Sequence, residues 1–575
     1  MRPLIYRLYI LFFFTGTMAW SQNLGDSYIV AWSQFHPSKA LSEGIRTAVF
    51  DYEDLSQEKI SNWVEYNQKI LGKLSSPNNA KSIDPIDARL LRVQVSSEID
   101  NWTKLSLHAS SLTLYSRLIA HSIEPVLQAD YLLSNEKSSL ICKCLTAVRH
   151  LSDAAISNLK QVTKNDLENG KQDLRLALDF YKNDLPKLVE NDRSIQKCDG
   201  FTEILSRTMA SLEKLVAFVA SELQKNIRNV DDNIGRDEYA RRLKLYTDSP
   251  LSPEELSKMA LKEIEIVRGL MANVSKVYLA MEYPNRSIPK KYDELTGAAL
   301  ADMEKDAPLN GADYLQFWND LSNKALLFIK ENKIATLPKN QTLRILPAPE
   351  SAGPAARIGW VASAPPFEPN PLTTLYLPSI PDTLPVLEQK EFWASFNRPF
   401  NRMIVIHELF PGHYMQLKIS RETPHPIRLL FPYGIYTEGW ATFTEKVLLD
   451  AGWEADNHLT LLAHLRKRLE NANRAYTSVQ VHCNGWNQEQ VLQFSTETSL
   501  LAPQFAKSLW GRIMKSPMQL TSYFLGGAKF TSLLQSEKER LGNSFDLQLF
   551  MDTIMISGPI PIDEFHELFA KISPN

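Results

Sequence analysis

Between about residue 40 and residue 335, apolar residues recur at three- and four-residue spacing in one long segment after another, as over 87–107, 145–162 and 203–227. That recurrence matches the turn of an α-helix, so this half of the chain can bury its apolar surface only as a packed array of amphipathic helices. One start is fully marked at Ser252-Pro253-Glu254-Glu255. The serine caps the helix, the proline takes its first position, and the acids sit at the positive end of its dipole. No fixed period links the segments, which argues against a solenoid.

A chain of 575 residues, 44 % hydrophobic and 22 % charged, has the material for a large core. Its net charge of -3 comes from 63 basic and 66 acidic residues that are interspersed. No basic field results, so neither nucleic acid nor an anionic membrane is an expected partner. Arg2 and Arg7 precede an apolar run over 8–19 that ends in a polar stretch. This is the layout of a signal peptide over 1–21, and the run is shorter than the roughly 20 residues needed to span a bilayer. The mature protein is expected to be exported, periplasmic or secreted, with no membrane contact after cleavage. No cysteine follows the run, so no lipid anchor is expected. The four cysteines, Cys142, Cys144, Cys198 and Cys483, are too few for a disulfide scaffold, but one bridge from Cys198 to Cys142 or Cys144 suits an oxidising compartment.

Between Thr336 and Pro385 prolines become dense, and β-prone runs appear at 343–346, 356–362 and 373–377. They predict a small sheet of proline-limited strands, an edge of which could hold an extended peptide. Helical periodicity resumes near Phe392, with interruptions expected at Pro411-Gly412, His425-Pro426, Asn484-Gly485, Pro517, Gly526-Gly527 and Gly558-Pro559. The chain therefore divides into a leader (1–21), an N-terminal helical region (23–335), a proline-rich segment (336–390) and a second helical region (391–575).

All the candidate chemistry falls in that last region. In His407-Glu408-Leu409-Phe410-Pro411-Gly412-His413, two histidines stand six apart and the first is followed by a glutamate. Two neutral imidazoles and a carboxylate bind Zn2+ while leaving a position for water, and a further carboxylate takes that water's proton. On an ideal helix, residues four apart lie within roughly 40° of each other, whereas residues six apart diverge by about 120°. Pro411 has no N–H for the His407 carbonyl, and Gly412 accepts backbone angles that other residues avoid. A bulge of about two residues is expected there, restoring an effective spacing of four. A regular helix through 407–413 would exclude a shared ion.

Further on, Tyr436-Thr437-Glu438-Gly439-Trp440-Ala441 opens another helix with Glu438 in its first turn. Glu438 suits a third ligand carried by an antiparallel neighbour, and Gly439 lets backbones come close. Glu445, seven residues on and so on the same face, can accept a hydrogen bond from the free ring nitrogen of a ligand histidine.

The two motifs, His407-Glu408-x-x-Pro411-Gly412-His413-x-x-Gln416 and Glu438-Gly439-Trp440-Ala441, resemble those of the bacterial DUF885 family, and the resemblance extends over most of the chain. It implies a mainly α, zincin-like metallopeptidase: a large two-lobed helical array around a deep cleft, with a small sheet inserted before the metal-binding helix. It further implies His407, His413 and Glu438 as Zn2+ ligands, Glu408 as general base, and short or unfolded peptides as substrates. Tyr523 and His482 are candidate donors to the developing oxyanion. Arg512 is a candidate for binding a substrate carboxylate. Relatives carry an aspartate four residues before the position of His482, where this chain has Ser478, so the charge that would orient that histidine is missing. The expected activity is zinc-dependent peptide hydrolysis. A zinc-containing peptide-binding protein without turnover, or a zinc amidohydrolase acting on a non-peptide amide, are the alternatives.

Overall fold

The 87–107 periodicity is realised as the helix Pro85–Trp102, which Asp84 caps by accepting from the N–H groups of Ile86 and Asp87. This is seen in a computed structural model that describes residues 23–45, 53–76, 83–128, 132–191, 198–228, 233–349, 356–368, 372–501 and 503–571. The expected signal peptide over 1–21 lies outside the described residues. The other two sampled segments form Ser134–Asn158 and Phe201–Ser221. Cys142 on the first is bridged to Cys198, just before the second, while Cys144 and Cys483 are free thiols.

Ser252 and Glu255 cap one another reciprocally at the start of Pro253–Glu282. Along that helix Leu256, Ala260, Ile264, Val267, Met271, Ser275 and Leu279 form a buried stripe at three- and four-residue spacing. The helix packs along His458–Asn484, where Leu462, Leu465, Leu469 and Ala472 complete the same apolar cluster. Elements from both ends of the chain also share the main core, which includes Tyr28 and Phe569. The helical regions on either side of the proline-rich segment are therefore packed into one another.

A buried polar hub orders the N-terminal helices. Glu98 accepts from the indole N–H groups of Trp63 (2.9 Å) and Trp102 (3.0 Å) and pairs with His36 Nε2 at 3.0 Å. Burial alone would raise its carboxyl pKa, but the His36 charge and these hydrogen bonds outweigh it and bring it to about 2.

Among the described residues the proline-rich segment forms three strands, β1 (Leu343–Pro347), β2 (Trp360–Ala362) and β3 (Thr373–Leu377), in the order β1-β3-β2. β1 runs parallel to β3 and β2 antiparallel to it, so β1 and β2 are the edges. β2 is shorter than the 356–362 run because Gly359, at φ +72°, turns the chain just before it.

Five helices position the site: Arg398–Glu408, His413–Ser420, Tyr436–Asp450, His458–Asn484 and Gln519–Leu541. The last corrects one expectation, since it runs unbroken through Gly526-Gly527. These glycines serve a helix crossing. A Cβ on Gly526 would lie 2.1 Å from the Ile435 carbonyl oxygen and 2.5 Å from Gly439 Cα. Among the described residues, no helix is long and apolar enough to cross a membrane.

Candidate metal centre

The first helix of the site ends at Glu408 and the next begins at His413. Between them the ladder skips two residues: Gly412 N–H donates to the Ile406 carbonyl (3.0 Å) and Met415 N–H to that of Leu409 (3.2 Å), both six residues back. Ordinary four-residue bonding resumes with Gln416 N–H to Gly412. The bulge therefore has the size expected from the six-residue spacing, but the reason for Gly412 differs. Its φ is -67°, and a Cβ there would lie 1.9 Å from the His407 carbonyl oxygen, so the position needs empty space.

Glu438 comes in from the first turn of Tyr436–Asp450. Its Oε2 lies 3.3 Å from His413 Nε2 and 3.7 Å from His407 Nε2, and the imidazole rings stand nearly perpendicular with centroids 4.8 Å apart. All three candidate ligand atoms fall within 4.8 Å of one another. Ligands at about 2.0–2.1 Å from a tetrahedral ion are roughly 3.3–3.4 Å apart, so the cluster is close to the size a zinc ion requires. Glu438 Oε2 is buried and receives no aligned hydrogen bond among the described residues, which leaves its lone pairs directed at the histidines. Burial alone would raise its pKa, but the two histidines outweigh this and hold it well below the carboxylate range. Glu408 is half-buried beside His407 and is not one of the three converging groups.

Glu445 is fully buried behind the cluster. One oxygen pairs with His407 Nδ1 at 2.8 Å and the other with His464 Nδ1 at 3.0 Å. Burial opposes ionisation, yet these two partners bring its pKa to about 2. The His407 imidazolium is disfavoured by burial but is raised to about 10 by Glu438 and Glu445. The same negative field favours a divalent cation at Nε2.

The remaining residues of Glu438-Gly439-Trp440-Ala441 also have defined tasks. Gly439 permits the contact with Gly526, so the close backbone approach is made to Gln519–Leu541 and not to the histidine helices. Trp440 is fully buried and donates its indole N–H to the Pro411 carbonyl at 2.9 Å, tying the bulge to the helix that carries Glu438.

The Gly439–Gly526 crossing also brings Tyr523 to the cluster, three residues before Gly526. Its ring lies parallel to that of His407 at 6.4 Å. Burial and the Glu438 charge raise its phenol pKa, so it remains a hydrogen-bond donor. Arg512, on Pro503–Lys515, lies 3.5 Å from the Tyr523 hydroxyl. Arg474 and Lys467 stand 4.8 Å and 5.9 Å from the Tyr523 ring centre.

His482 is a correction. It lies 18 residues beyond His464 on the same helix, about 27 Å further along its axis at 1.5 Å per residue. Its Nδ1 accepts from Ile234 N–H (3.3 Å), its Nε2 pairs with the Ile513 carbonyl (3.1 Å), and its ring stacks on Tyr239. Both nitrogens are thus held by backbone, and the residue belongs to the packing between helices. Ser478 is bonded to the Tyr239 hydroxyl and the Pro517 carbonyl, so its difference from an aspartate falls outside the ligand cluster.

Sequence reasoning missed His464, Lys467 and Arg474. Their one available signal was that they share a side of the helix at offsets of three and ten residues. A cavity of about 370 Å³ is lined in part by Gln94, Arg241, Arg242, Tyr246, Gly434 and Met518, and none of the candidate ligands lines it. Of its lining residues Tyr246 feels the Glu438 charge: burial chiefly raises its phenol pKa to about 12, and that charge adds to this. A second grouping, Asp84, Asp87 and His425, is built around Arg428, which takes both carboxylates.

The fold and site define a mainly helical protein with a buried two-histidine, one-glutamate cluster supported by a second glutamate. The chain belongs to the DUF885 family, described as bacterial protein of unknown function, which it matches over residues 37–568. In fold it is similar to a putative lipoprotein of unknown function from Shewanella oneidensis, with a TM-score of 0.81 and 19 % identity over 95 % of this chain and 99 % of that one. It is also similar to a putative lipoprotein from Colwellia psychrerythraea, with a TM-score of 0.74 and 17 % identity over 95 % and 99 % of the two chains. No curated protein matches the sequence.

Proposed function

We propose that this protein is an exported zinc-dependent peptidase acting on short or unfolded peptides, with His407, His413 and Glu438 as ligands and Glu408 as general base. The observation that carries this reading is the convergence of three ligand atoms within 4.8 Å, with Glu408 adjoining them. Bound zinc would supply polarisation of the scissile carbonyl and a lowered pKa for the attacking water. Glu408 then accepts the water's proton and delivers it to the leaving amine. Glu445 fixes the His407 tautomer by holding Nδ1, so that Nε2 faces Glu438. Tyr523 donates a hydrogen bond to the developing oxyanion. Export is supported by the basic and apolar layout of the leader, by the Cys142–Cys198 bridge and by the lipoprotein descriptions of the two structural relatives.

The test is to measure zinc per chain and to profile an unbiased peptide library by mass spectrometry, for the wild type and for Glu408→Gln. Both should hold one zinc, and cleavage should fall by about 10²–10⁴-fold in the variant. Equal cleavage would remove Glu408 from its role. Peptide binding without products, with zinc restored, would replace the peptidase reading by that of a binding protein. Turnover confined to non-peptide amides would identify an amidohydrolase.

A further inference from the structure

Next to the ligand cluster is a concentration of positive charge that bond hydrolysis does not employ. Lys467 and Arg474 project from His458–Asn484, and Arg512 from Pro503–Lys515. One acid, Glu470, lies among them; it pairs with Arg474 and stands 3.5 Å from Lys467. Arg512 has no ion pair among the described residues, and its side-chain contact is the Tyr523 hydroxyl at 3.5 Å. Arg474 is buried and the Lys467 side chain is only 11 % exposed. Glu445 also acts on Lys467, and Glu438 on Tyr523, so the group as a whole is partly compensated; Arg512 is the member left without an ion pair among the described residues, and a bound anion would supply its partner.

The position of this charge sets what the anion can be. One aromatic ring, that of Tyr523, neighbours both the cations and a ligand histidine. Arg474 lies over that ring at 4.8 Å, and His407 lies parallel to it at 6.4 Å. An extended peptide advances roughly 3.3–3.6 Å per residue, so a chain whose scissile carbonyl sits at the ligand cluster places its next one or two residues beside the cations. A guanidinium fork matches a carboxylate in two parallel hydrogen bonds. We propose that Lys467, Arg474 and Arg512 receive the C-terminal carboxylate of the substrate, making the protein a carboxypeptidase that releases one or two residues. This rests on the peptidase reading of the ligand cluster. A C-terminal amide, or an internal backbone segment, offers no charge there and leaves Arg512 unmatched.

The experiment uses zinc-loaded Glu408→Gln protein, which binds without turning over, and a library of N-acetylated tripeptides prepared in pairs as acid and as C-terminal amide. Dissociation constants for the best-bound pairs should favour the acid by at least about tenfold, the scale of a lost charge-assisted hydrogen bond. Adding Arg512→Met should bring the acid-to-amide ratio close to one, Arg512→Lys should restore part of it, and Lys467→Met should act as Arg512→Met does. Far-ultraviolet circular dichroism and zinc content establish that each variant is folded. Since Arg512 is only partly buried, its variants decide the matter even if Lys467→Met does not fold. Equal binding of acid and amide, no binding of either, or an acid preference unmoved by Arg512→Met would each overturn the proposal. Wild-type cleavage of acid and amide alike would do so while leaving the peptidase reading intact. Preferential acid binding with no cleavage by the wild type would overturn the peptidase reading, and the carboxypeptidase with it, while keeping the three cations as a carboxylate-binding site.

Discussion

Gly439 and Gly526 meet backbone to backbone where two helices cross, so closely that a Cβ on Gly439 would lie 2.4 Å from Gly526 Cα. Glu438 and Tyr523 stand immediately beside this crossing, so the distance between them depends on two absent side chains. Gly526→Ala should therefore destabilise the protein by at least about 1–3 kcal/mol, the usual range for overpacking, and should lower zinc affinity. Urea unfolding and zinc titration read both effects. Gly511→Ala is the control: nothing lies within 4 Å of its Cβ, and helix propensity alone predicts no loss. Equal behaviour of the two variants would contradict the crossing argument.

Glu445 contacts two histidines and faces no solvent. Replacing it by glutamine keeps the size and removes the charge that orients His407. Zinc affinity should drop by about 10–100-fold, measured by competition with a chromophoric chelator. Unchanged affinity would reduce Glu445 to a packing residue.

Glu98 provides a pH test far from the ligand cluster. Its folded value of about 2 lies below the ordinary value of 4.5. The stabilisation it confers is therefore fully present above pH 4.5 and is lost as the pH falls through the window down to about 2. Wild-type stability should decline in that window more steeply than that of Glu98→Gln, as followed by urea denaturation at closely spaced pH values. Parallel curves would mean that the indole and His36 contacts do not hold the charge.

His482→Phe should remove two backbone-directed hydrogen bonds and lower stability by about 1–3 kcal/mol. The rate per folded, zinc-loaded molecule should stay at the wild-type level, because the imidazole faces Ile234 and Ile513. A large fall in kcat with unaltered stability would return His482 to the reaction.

What was legible in the sequence followed from local rules. Apolar spacing located the helices, Ser252 and Pro253 located a helix start, and the missing N–H of Pro411 located the bulge. Glu445 was legible because a seven-residue offset keeps one helix face. What escaped depends on how distant elements cross. Gly526-Gly527 reads locally as a break, and only the opposing Gly439 shows that the glycines are there for contact. Trp440 reads as core, yet its indole N–H ties down the Pro411 carbonyl. Lys467 and Arg474 carry no local signal that places them beside Tyr523, the ring that also neighbours His407. His482, a candidate donor by residue type, is carried away from the cluster by the rise of the same long helix that brings His464 to it.

The interleaving of the two helical regions has a consequence for biosynthesis. His407 and His413 leave the ribosome well before His464 and Tyr523, while the helix that flanks His458–Asn484 was made some two hundred residues earlier. A nascent chain therefore holds both imidazoles long before it can enclose them. The enclosed centre, with His464 and Tyr523 in place around its ligands, is a property of the nearly finished polypeptide.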